Sequence, residues 1–164
     1  MLIFETHLLK DANMKKMMLL VVVIIALIVG CEDESSRIAH DNLKRLVTNT
    51  TIKSMEQPLR EYAKKHELGR FPEASTEQEG NGTTLLVEEL REQGFFQFSD
   101  SNLTNKKPYQ LVDGWGNPMR YRPWRGKKDK EGAHNMKSYD LWSAGPDGLF
   151  ETEEDNITNW STIE

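Results

Sequence analysis

The chain is poor in the residues that carry chemistry. Its 164 residues hold one cysteine, Cys31, so no internal disulfide can form. The four histidines, His7, His40, His66 and His134, stand apart from any Ser or Cys nucleophile motif. There is no glycine-rich phosphate loop and no Cys/His metal spacing. Within residues 36–164 carboxylates crowd most densely between Asp147 and Asp155, and there they lack the apolar pocket that lifts a pKa for acid catalysis. These absences argue against an enzyme and against a small-molecule substrate. Positive charge is also short: 21 Lys and Arg face 26 Asp and Glu, for a net −5. Residues 1–31 hold three basic and two acidic residues, which leaves 18 against 24, or −6, in the rest. Nucleic-acid binding relies on the opposite balance. The cluster from Arg120 to Lys130, with Tyr121 and Trp124 among its basic residues, reads as the solvent side of a strand and a loop, not a base-stacking platform. No internal repeat appears. What remains, 29% charged residues with aromatics throughout, fits one modest folded domain and a targeting segment.

That segment is the first thing present. Met14-Lys15-Lys16 is basic, and Leu19 to Val29 is an unbroken apolar run of eleven residues. Ile28-Val29-Gly30-Cys31 follows, then polar Glu32 to Ser36. A positive start, a run of this length and small residues before a cut make a secretory signal. A cysteine just after the cut resembles the lipobox of bacterial lipoproteins. That resemblance implies cleavage between Gly30 and Cys31, lipid on Cys31, and a membrane tether on the periplasmic or cell-surface face of the envelope. The expected division is 1–30 signal peptide, with Met14 as the better start, 31–35 tether, and 36–164 domain. An uncleaved signal anchor is the alternative, although the run is short of the ~20 residues a spanning helix needs.

From Ser36 to about Leu68 the pattern predicts helix. Ile38, Ala39, Leu43, Leu46 and Val47 form one apolar stripe; Met55, Leu59, Tyr62 and His66 form a second. Weak helix formers at Thr48 to Thr51 and Pro58 place a break between them, with Ser54 as a new N-cap. His66 on the stripe reads as structural. Gly69 stops the helix. A short helix is expected over Thr84 to Gln93, with Leu85, Leu86 and Leu90 inward and Gly94 as its stop. Phe95, Phe96 and Phe98 should supply core. Asp113-Gly114-Trp115-Gly116-Asn117-Pro118 is a dense turn signal. Strands are expected at Met119 to Trp124 and at Tyr139 to Ser143, the second with one buried face.

Gly145-Pro146-Asp147-Gly148 then breaks the chain, and Glu151, Glu153, Glu154 and Asp155 follow, anchored by Ile157 and Trp160. Held near one turn, these carboxylates must spread into water or share a cation. Ca²⁺ suits the second case, because it takes six to eight oxygen ligands. The spacing is not that of an EF-hand, and a solvated acidic loop stays open beside the metal.

Taken in order, Phe71-Pro72, Thr76-Glu77-Gln78, Leu85 to Val87, Asp113 to Pro118, Ser143 to Gly148 and Ile157 to Trp160 resemble the major pseudopilin of type II secretion, the G-type. The resemblance covers about Ser36 to Trp160. It implies an α+β fold in which a long N-terminal helix packs on a small antiparallel β-sheet, closed by a C-terminal calcium-binding loop. By position it gives the calcium side-chain oxygens of Asp147, Glu154 and Asp155, backbone carbonyls of Ala144 and Leu149, and Asn156 as a further ligand. It departs from the family at Glu154, where Asp is usual, and at Glu151, where glycine often sits. The leader departs further. Family members keep an apolar helix after the cut, with a glutamate five residues on; here the run precedes Gly30 and Ser35 takes the glutamate's place. The expected protein is a non-enzymatic, calcium-stabilised, lipid-anchored pseudopilin-like domain partnered with other pseudopilins or secretion components. Two alternatives are a free-standing surface lipoprotein that uses the fold as a binding module, and an ordinary pseudopilin that keeps its apolar run.

Overall fold

The computed structural model describes residues 33–77, 81–125 and 133–160. The expected signal segment and Cys31 lie outside them. The chain divides into two units, Met1–His40 and Asp41–Glu164. Of the first, the structure describes a helix start, where the Asp33 carbonyl accepts the N–H groups of Ser36 (2.8 Å) and Arg37 (3.2 Å). No helix among the described residues is long and apolar enough to cross a membrane.

The long helical stretch has two parts, α1 (Glu34–Ser54) and α2 (Glu56–Lys65), with Met55 between them. The break falls where the threonine run and Pro58 place it. Pro58 sits in the first turn of α2, where its missing N–H costs nothing. Ser54 is not the new cap, however. Its hydroxyl donates back to the Thr51 carbonyl (2.7 Å), and Met55 caps α2 without a side-chain bond. The helix ends in a short 3₁₀ turn, Glu67–Gly69, closed by Gly69 at φ +65°. His66 is structural as expected, stacked on Tyr62 (centroids 3.9 Å) and bonded to Gln93 (3.0 Å).

The first apolar stripe departs from expectation. Leu43, Leu46 and Val47 are 59%, 62% and 42% exposed. The loop that covers this part of α1 arrives on the polar side instead. Gly114 N–H donates to the Thr48 hydroxyl (2.9 Å), and Trp115 Nε1–H donates to Asp41 Oδ1 (3.1 Å). Gly114 lies so close to Lys44 that a Cβ there would overlap the helix backbone. The threonines, poor helix formers, serve here as docking points: Thr48 is fully buried, and Thr51 Oγ1 accepts Asn102 Nδ2–H (3.0 Å).

The core begins further on. Ile52, Met55, Leu59 and Tyr62 meet Leu86, Val87 and Leu90 of α3 (Thr84–Glu92), and Tyr121, Leu141 and Ile157 of a three-stranded antiparallel sheet. Its strands are β1 (Arg120–Pro123), β2 (Tyr139–Ser143) and β3 (Ile157–Thr158), in that order. Tyr121 faces Leu141, and Ser143 faces Ile157. In α3, Val87 takes the inward place expected of Leu85, which is 38% exposed. Phe95, Phe96 and Phe98 pack against the core half-buried. In β2 both faces are largely buried, with Trp142 the half-exposed exception. This is an α+β fold: a long, bent helix on a small antiparallel sheet.

Candidate metal centre

The C-terminal loop hangs from a hydrogen-bonded joint between the two turn motifs. Asp113, 4% exposed, lies at its centre. Its Oδ1 accepts the N–H groups of Trp115 and Asn117, both at 2.9 Å, which winds the Asp113–Asn117 turn around one carboxylate oxygen. Its Oδ2 accepts the Ser143 hydroxyl at 2.6 Å and Asn117 Nδ2–H at 3.5 Å. Ser143 Oγ in turn accepts Gly145 N–H (2.9 Å), and Asn117 Nδ2–H donates to the Gly145 carbonyl (3.2 Å). Asp113, Asn117, Ser143 and Gly145 thus form one unit, which fixes where the chain leaves β2. A buried carboxylate is tolerable when donors surround it, and here four reach it. Sequence reasoning treated the two motifs as separate turns. Their shared signal is that each pairs a polar side chain with a glycine.

Beyond the joint, Gly145 (φ +69°) and Gly148 (φ +72°) take left-handed conformations that glycine adopts without a Cβ penalty. The Asp147 carboxylate accepts Leu149 N–H (2.8 Å) and closes its own turn. The acidic segment then folds back: a Cβ at Gly145 would overlap the Asp155 carbonyl and stand 3.1 Å from Asp155 Oδ2. Asp155 therefore lies against the first turn, beside fully buried Ala144. Asn156 Nδ2–H donates to the Phe150 carbonyl (3.1 Å) and ties the far side of the loop.

The expected ligands are thus only partly gathered. Asp155 and Asn156 are half-buried against the turn, and Ala144 is at its base. Asp147, Leu149 and Glu154 are exposed. Among the described residues no three of His, Cys, Asp and Glu converge as a metal cluster. Two oxygens nevertheless stand out: Asp155 Oδ1 and Asn156 Oδ1 are buried and have no hydrogen-bond partner. Unpaired buried oxygens on successive residues are costly unless something neutralises them. A hard cation that takes carboxylate, amide and carbonyl oxygens together fits this donor set.

The segment is anchored at its end as well. Asn159 continues the β3 pairing with its side chain: its Oδ1 accepts Leu141 N–H (3.0 Å) and Asn135 Nδ2–H (3.1 Å), and its Nδ2–H donates to the Tyr139 carbonyl (2.9 Å). Residues 145–156 are therefore a loop closed at both ends on β2.

No curated protein and no solved structure matches the chain. The family model described as type II secretion system (T2SS), protein G, matches residues 39–160, from the second turn of α1 through the sheet to the end of the acidic loop's anchor. With most of its length under that match, the chain belongs to the protein G family of type II secretion.

Proposed function

We propose that the chain is a non-catalytic, pseudopilin-like protein of the bacterial cell envelope that works with other components of type II secretion. Its C-terminal loop is fastened by Ca²⁺, and its N-terminus is held to a membrane by lipid on Cys31. The secretion role rests on the family. The calcium reading rests on one observation above all, the two successive buried oxygens of Asp155 and Asn156 without a partner. In this reading those side chains, with Asp147 and Glu154 and the carbonyls of Ala144 and Leu149, hold the ion. The ion neutralises the crowded carboxylates and closes the loop on the Asp113 joint. The lipid anchor rests on the apolar run before Gly30-Cys31 and the polar residues after it.

Two measurements test it. Melting in millimolar calcium and again in chelator should differ, and coincident curves reject the metal. The mass of the mature N-terminal peptide should be that of a lipidated Cys31. A mature chain still carrying Leu19 to Val29 rejects the anchor and restores an ordinary pseudopilin with a retained helix.

A further inference from the structure

A groove of about 590 Å³ runs between one face of α2 and the start of β2, and none of the expected calcium ligands lines it. On the α2 wall Glu56, Arg60 and Lys64 follow one another at four-residue spacing, so helix geometry alone sets them in one row. Phe71 and Tyr139, with ring centroids 5.4 Å apart, supply apolar surface. Burial pushes the Tyr139 hydroxyl pKa up; Glu56 adds to that and Arg60 opposes it, which places both charges near this ring.

The wall at the start of β2 carries Lys137. Among the described residues it is the one non-glycine with a left-handed backbone, at φ +70°. That conformation is disfavoured for any residue with a Cβ. The turn around it imposes it. Asp140, 2% exposed, accepts the N–H groups of His134 and Asn135, both at 2.8 Å. Asn135 Nδ2–H donates to the Tyr139 carbonyl (3.0 Å), and Ser138 N–H to the Asn135 carbonyl (3.2 Å). Glycine at this position would relieve the strain. Backbone strain held in place by its surroundings clusters at sites that bind or react.

The charges decide what the groove takes. Lys64 is paired with Glu61 (2.7 Å), whereas Arg60 and Lys137 make no ion pair among the described residues. Those two cations suit an anion. Glu56 in the same row disfavours a bare polyanion, because an ionised carboxylate only accepts hydrogen bonds and needs a donor. A peptide rich in Asp or Glu offers both, carboxylates for the cations and backbone N–H groups for Glu56.

We propose that this groove docks an acidic peptide segment of a partner protein, with carboxylates on Arg60 and Lys137 and backbone N–H groups on Glu56. The docking needs neither the calcium nor the lipid anchor.

The test is a fluorescence-anisotropy titration of the full chain against a short labelled peptide of alternating Glu and Ala. The same peptide with Gln for Glu, and polyphosphate of matched charge, are the comparisons. Saturable binding of the Glu peptide that weakens with added salt is expected, with both comparisons at least tenfold weaker. Arg60→Ala and Lys137→Gly should each weaken binding at least fivefold. Lys53→Ala, at an exposed lysine of α1, should bind as the parent does. Lys137→Gly is the sharpest variant: it removes the cation and the strain together, so it should melt no lower than the parent while binding less. Parent-like affinity in Lys137→Gly overturns the proposal, as does absence of saturation by the Glu peptide up to about 10 mM. Polyphosphate binding as tight as the peptide's overturns it too, and so does a self-associated form that Lys137→Gly dissolves, which would give the groove to a second copy.

Discussion

The Ser143 hydroxyl donates to Asp113 Oδ2 at 2.6 Å, and both residues are buried. They lie thirty positions apart, one in a turn and the other at the end of β2. This bond is where the two turn motifs become one structure. Asp113→Ala removes it and also strands the N–H groups of Trp115 and Asn117. We expect a loss of about 3 kcal/mol, since hydrogen bonds to charged groups are the strong ones and the orphaned donors add their own cost. Urea denaturation measures this directly, and a change below about 0.5 kcal/mol, the range of ordinary surface substitutions, would rule the joint out as a stabilising element.

Calcium should raise stability through the same region. With a dissociation constant of ~10⁻⁴ to 10⁻³ M, millimolar calcium stabilises by about 0.4–1.4 kcal/mol. Chelation should lower the melting point accordingly, and Asp155→Ala and Asp147→Ala should each remove the dependence. Of the two, Asp155→Ala is the sharper test, because its Oδ1 is the buried oxygen left unpaired. Calcium-dependent melting that survives in Asp155→Ala would place the ion elsewhere.

The two glycines of the loop should differ under substitution. Gly148→Ala meets nothing nearer than Asn117 Oδ1 at 3.5 Å, so it bears only the left-handed backbone cost of about 1–2 kcal/mol. Gly145→Ala bears the same backbone cost, and its methyl also overlaps the Asp155 carbonyl. Overpacking of this kind typically adds about 1–3 kcal/mol. Thermal melts of the two variants should therefore rank Gly145→Ala clearly below Gly148→Ala. Equal losses would mean that Asp155 does not lie against the turn.

Glu77 gives a pH-dependent term. Its Oε1 accepts Thr84 N–H (3.1 Å) at the start of α3, where backbone donors lack helical partners. Burial pushes its carboxyl up, but hydrogen bonds from Thr84 and Ser75 outweigh that and hold it below the usual glutamate value. A carboxyl with a lowered pKa in the folded state stabilises fully above its unfolded value and loses that contribution as pH falls through the folded one. Replacement by alanine should cost about 1 kcal/mol at neutral pH, as for other helix caps. The gap between parent and Glu77→Ala should close in acid. A gap that is constant from neutral pH down through the glutamate range would show that the charge of Glu77 plays no part.

The helix shows where sequence reasoning reaches and where it stops. Period and breaker residues located α1, α2 and the interruption between them, because backbone propensity acts within a turn or two. The first apolar stripe misled for the same reason. Spacing says which residues share a face, and it cannot say whether another element arrives to cover that face. Around Leu43 and Leu46 the covering loop came to the threonine and aspartate side. The candidate ligands follow the same division. Their clustering between Asp147 and Asn156 is visible as composition, whereas the orphaned oxygens of Asp155 and Asn156 depend on how the loop folds back on Gly145.

By itself the sequence determined the order of the helices and of the first two strands, the turns at Asp113–Pro118 and Gly145–Gly148, and the resemblance to a secretion pseudopilin, since each is written in local patterns of size, charge and backbone freedom; the short β3 at Ile157–Thr158 was not among them. Only the tertiary structure decided that the two turns share one buried carboxylate, that two loop oxygens are sealed from water, and that the rings of Trp142, Phe150 and Trp160 meet. Those outcomes come from residues eight to thirty positions apart meeting in space, and short-range propensity carries no information about such meetings.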